Sequence, residues 1–192
     1  MRTIPTIALT AAALALAGCA GTSTSKAPGP SAAPAASPPS SAPSAPAPSP
    51  SDSLAGPIRT VFDVSDDSGN KMSVKLVKVI DPAQGADEFT TPDHGKRFVG
   101  AVFVLAGKAG RFSDDANNDA LIIGTNGQTY TADFDSIAGY TDFNDGTFNL
   151  SPGERSKGAV TFQVPVRVRV AKVEWDASSG FGGAPAEWVI RP

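Results

Sequence analysis

The stretch Gly95–Leu105 (GKRFVGAVFVL) is apolar on both sides of an extended chain. Val99, Ala101, Phe103 and Leu105 project one way, and Phe98, Gly100, Val102 and Val104 the other. The run is short and rich in Val and Phe, which favours a strand over a helix. It is predicted to be the central strand of a β-sandwich, with Val99, Ala101, Phe103 and Leu105 facing the core. Two readings stand for the opposite side at Val102 and Val104. Either an overlying loop covers it, or it is an apolar face for a partner.

The other apolar runs follow the same rule. Met72–Ile80 alternates through Met72, Val74 and Leu76, and then Val77 and Val79 change face, which predicts a bulge. Ser156–Val164 places Val160, Phe162 and Val164 inward, and Pro165 ends the run because it has no amide hydrogen. Further strands are predicted at Ile58–Val64, Leu121–Gly124, Gln128–Ala132, Thr147–Leu150, Val166–Trp175 and Glu187–Ile190, with Asn126-Gly127 as a hairpin turn. Phe134, Ile137, Tyr140 and Phe143 lie in an irregular segment expected to pack over one end of the sandwich. No segment has a helical period. The fold class is therefore all-β, an antiparallel immunoglobulin-like sandwich of seven to nine strands.

Only part of the chain is built this way. Residues 20–56 are almost entirely Ala, Pro, Ser, Gly and Thr, with nine of the 17 prolines between Pro28 and Pro50. With Leu54 as its only large apolar residue, this tract buries too little surface to offset its chain entropy, and it reads as a disordered, extended tether. Residues 57–192 then form one domain, large enough to fold without a disulfide. The formal net charge of −3 argues against non-specific nucleic-acid binding, which needs a basic face.

The first 18 residues read as an export signal. Arg2 is followed by the apolar core Ile7–Ala17, which is too short to span a bilayer. The core ends in Leu16-Ala17-Gly18-Cys19, and Cys19 is the one cysteine. This sequence resembles the lipobox of bacterial lipoproteins. The resemblance implies cleavage between Gly18 and Cys19 and acylation of the Cys19 thiol, leaving residues 19–56 as a lipidated linker. It also implies an exported chain held on the extracytoplasmic face of the cell membrane, since two or more acyl chains anchor far more firmly than one.

A second resemblance rests on Leu150–Glu154 (LSPGE), Gly158–Pro165 (GAVTFQVP) and the strand Lys96–Leu105. These phrases resemble a family of bacterial exported domains of unknown function. That family is described as telokin-like or immunoglobulin-like and is often found on lipoproteins behind a low-complexity tether. A small secreted mycobacterial immunogen has a similar sandwich. The family carries no agreed catalytic residues, so the resemblance implies a fold and no site.

Residue chemistry points away from catalysis. The single histidine, His94, sits in a turn with no nucleophile motif, and no glycine-rich phosphate loop precedes a helix. No cofactor is expected. The acidic loop carrying Asp114, Asp115, Asn117 and Asp119 offers oxygen donors suited to calcium, as does a second at Asp142, Asn144 and Asp145. The first lacks the glycine and distal glutamate of an EF-hand, and Asp and Asn also favour plain turns. Phe143, Phe148, Tyr140 and Trp188 are either a ligand platform or core. The chain is read as a non-enzymatic binding module anchored to the membrane through Cys19, with a protein or cell-wall partner. The alternatives are a structural or stress-related envelope protein and, less favoured, an envelope hydrolase.

Overall fold

The structure, a computed structural model, describes residues 54–191. The predicted signal, Gly18, Cys19 and most of the predicted tether lie outside the described residues. In chain order the strands are β1 (Leu54–Pro57), β2 (Val61–Ser65), β3 (Lys71–Ala83), β4 (Lys96–Ala109), β5 (Phe112–Asp115), β6 (Ala120–Gly124), β7 (Thr129–Asp133), β8 (Thr147–Leu150), β9 (Arg155–Pro165), β10 (Val170–Trp175) and β11 (Ala186–Val189). One short helix, α1 (Ala116–Asp119), lies between β5 and β6.

The strands run β1-β11-β10-β6-β7-β9-β4-β3-β2, with β5 and β8 paired separately. Neighbours are antiparallel except β1 and β11. β7 pairs with β6 on one side and β9 on the other, and so joins the two layers. This is the antiparallel β-sandwich expected from the alternation. β4 is central in its sheet, between β3 and β9. Val99, Ala101, Phe103 and Leu105 face the main core, as predicted. Phe103 meets the Trp175 ring edge-on at 4.9 Å and the Trp188 ring at 5.9 Å, which ties the two sheets through aromatic contacts. The bulge predicted near Val77 is a register shift between Leu76 and Lys78. Across it Leu76 stays in the main core while Val77 turns to the outer face.

Among the described residues eleven strands replace the seven to nine predicted. β1 lies in what was read as tether, and Leu54 donates its amide to Pro185 at 2.8 Å. β5 has the composition of a turn. Neither carries an alternating apolar run: β1 is Leu-Ala-Gly-Pro, and in β5 Phe112 alone is apolar, so no periodic pattern announces them. Ile58–Thr60, predicted as strand, instead crosses between the sheets with Arg59 at φ 76°. Val166 is exposed in a turn, because the Val168 amide folds back onto the Pro165 carbonyl before β10 begins. The four-residue helix was also unexpected. It forms because Asp115 accepts a hydrogen bond from the Asn117 amide at 2.8 Å.

Candidate functional site

The structure overturns Val102 and Val104 as a partner face. Val102 is wholly buried in a second apolar cluster with Phe98, Ala83, Ile137 and Ala159. The segment after β7 lies over it, pinned by the pairing of Gly85 with Ile137 and by the Ala138 amide on Gln84. The covering loop is thus the arrangement observed. Val104 is half-buried, with Lys75 of β3 and Lys157 of β9 as its cross-strand neighbours.

The acidic loop does not assemble a cation cage. Asp115 caps α1, and Asp114 accepts the Ser178 amide at 2.9 Å. Asp119 points inward and takes the Ser179 amide at 3.1 Å. Asn117 is half-buried and borders the Asp142–Gly146 turn. Among the described residues no three His, Cys, Asp or Glu side chains are placed to hold a metal ion. The donors are already spent on turns and caps. In the second acidic loop, Asp142 accepts from the Ser136 hydroxyl at 2.7 Å, which holds its carboxyl below the usual range. His94 is exposed in its turn, beside the Asp93–Lys96 pair at 2.9 Å.

Of the two readings of the aromatics, the core is the one observed. Phe143, Phe148 and Trp188 belong to the core, and Tyr140 is half-buried with the Lys78 ammonium 4.9 Å from its ring centre. Phe134, expected to pack, is 85% exposed.

A larger apolar concavity lies elsewhere, at the end of the sandwich where β3, β6 and β11 finish and β10 begins. It is a cleft of about 660 Å³ between the layers, within the range of small-molecule sites. Its floor is Ile58, Val79, Val170 and Ile190, all packed against the main core. Alternation in β11 sends Ile190 inward with Trp188 and leaves Val189 on the outer margin, 40% exposed. Arg169, Lys172, Arg191 and Asp81 stand around this floor.

The charges on that rim are not equivalent. Arg97 grips Asp81 with two nitrogens, one pair at 2.7 Å, and it also donates to the carbonyls of Pro165 at 2.7 Å and Val168 at 2.9 Å. That bond to Asp81 is the main reason its guanidinium is held above its ordinary value. Arg97 therefore joins β3, β4 and the turn before β10, and holds Asp81, which borders the cleft. Lys172 is paired with Glu187 at 2.9 Å. Among the described residues Arg169 and Arg191 form no ion pair.

The sequence held two signals for this site. Arg97 stands in register with Val99 and Ala101, on the core-facing side of β4. Val79 returns to the core face after the bulge. The floor itself gathers residues from both ends of the domain and has no local pattern.

No protein-family model matches the chain, and no curated protein matches it in sequence. Among solved structures it is similar to MPT63, a secreted protein of Mycobacterium tuberculosis. The TM-score is 0.51 at 13% identity, over 72% of this chain and 98% of that one. An uncharacterised β-sandwich protein from Clostridium difficile matches over 77% of this chain and 100% of that one, at 11% identity and a TM-score of 0.48. What is shared is the fold. At 13% identity the likeness to MPT63 concerns the arrangement of strands, and no residue role passes from it to Arg97, Arg169 or Arg191.

Proposed function

We propose that this chain is an exported lipoprotein, held on the membrane by acyl groups at Cys19, whose sandwich is a non-enzymatic binding module working through the end cleft. The anchor reading is supported by Leu16-Ala17-Gly18-Cys19 after an apolar core, and by the Ala/Pro/Ser tract that follows. The binding reading is carried by one observation. An apolar floor continuous with the core opens to solvent between the two layers, with polar groups only on its rim. A ligand that covers this floor gains about 25 cal/mol per Å² of apolar area removed from water.

The test uses Nile red, an uncharged apolar dye, with the chain lacking residues 1–19. Among the described residues, 54–191, both apolar clusters and the whole cleft lining are present. Dye fluorescence is expected to rise on binding and to fall in Val79→Trp, which fills the cleft, and in Val189→Asp, which wets its margin. Near-ultraviolet circular dichroism checks that both variants stay folded. Equal fluorescence from the parent and both folded variants would remove the cleft as the site.

A further inference from the structure

We propose that the end cleft receives the acyl chain of a free fatty acid, with Arg169 and Arg191 taking its carboxylate. The proposal rests on the reading of the cleft as a binding site and adds the chemistry of its ligand. The floor is apolar, formed by Ile58, Val79, Val170 and Ile190, and an acyl chain is the ligand part that matches it. The rim decides the sign of the head group. Asp81 is neutralised by Arg97, and Lys172 by Glu187. The charges left at the mouth are two guanidinium groups, on a protein whose formal net charge is −3. Arginine stays protonated at every relevant pH and meets a carboxylate with two parallel hydrogen bonds. A cationic head would meet repulsion there, and a neutral head would leave both arginines without a partner.

Calorimetric titration of dodecanoate, kept below its micellar concentration, into the chain lacking residues 1–19 tests this. The comparison ligand is dodecyltrimethylammonium, which has the same tail and the opposite charge. One dodecanoate per chain is expected, bound at least tenfold more tightly than the cation and less tightly as salt is raised. The double variant Arg169→Gln, Arg191→Gln should lose at least tenfold for dodecanoate while still binding Nile red. Equal affinity for the two surfactants, an unchanged affinity in the arginine variant, or no dodecanoate binding would each overturn the proposal. Nile red binding that Val79→Trp abolishes would in those cases leave the cleft standing as an apolar site, and its absence would remove both readings. Sedimentation with phosphatidylglycerol vesicles separates a membrane-lipid source. Capture by such vesicles without dodecanoate binding would overturn the fatty-acid assignment.

Discussion

Asp119 is wholly buried, and while Oδ1 takes the Ser179 amide, Oδ2 has no partner. Burial pushes its pKa up to about 8; the Ser179 amide opposes this, and the neighbouring Asp114 and Asp176 add to it. Unfolded, the group titrates near 3.8. Between those values the native state holds a proton that the unfolded chain has lost. Stability from this group therefore falls as pH rises through that window, by about 1.4 kcal/mol per unit, and levels off above it. Asp119→Asn keeps a neutral group of the same shape that can still accept from Ser179. Its Tm is expected to exceed the parent's by several °C at pH 8, at about 2–4 °C per kcal/mol, with the gap closing toward pH 5. A constant offset between the two across that range would show that Asp119 is charged in the fold. The left-handed pair Ser178 (φ 54°) and Ser179 (φ 52°) aims its amides at Asp114 and Asp119, and nothing in the sequence of those serines announces that role.

Among elements, the segment after β7 does most to change how β4 is read. Ile137 seats on Gly100, where a Cβ would lie only 2.3 Å from the Ile137 Cδ1 atom. The glycine in the middle of this Val- and Phe-containing strand is thus the socket for the cover. Ile137→Ala is expected to cost about 2–5 kcal/mol in urea unfolding, through lost contact and the cavity left over Val102. A cost under about 1 kcal/mol would mean that the segment does not pack as a lid on β4. The turn at Ser151–Glu154 is built in the same manner. Glu154 accepts the Ser151 amide at 2.7 Å, and Gly107 lets the Ser151 carbonyl approach where a Cβ would stand 2.2 Å from it. The strand runs were legible because alternation reports directly which face is buried. β1, β5 and the cover were not, because backbone pairing and contacts between distant segments leave no local period.

At the scale of the whole molecule, the proposed anchor and cleft make separate predictions. Cys19→Ser should move the protein from the membrane fraction to the soluble extracytoplasmic fraction while the domain's unfolding midpoint stays unchanged. Retention of the variant in membranes at the parent's level would count against acylation as the anchor. Arg97 holds Asp81 at the cleft rim and its side chain is 17% exposed, so Asp81→Asn should destabilise the fold by about 1–3 kcal/mol, since it leaves a partly shielded guanidinium with a weakened partner. The sequence by itself determined the all-β class and the core-facing residues of β3, β4 and β9. Each of these depends on the spacing or composition of neighbouring residues. Tertiary structure alone decided that Val102 is covered, that the acidic loop spends its carboxylates on caps and turns, and that Ile58, Val79, Val170 and Ile190 share one floor. Those outcomes depend on which residues far apart in the chain the two layers bring together.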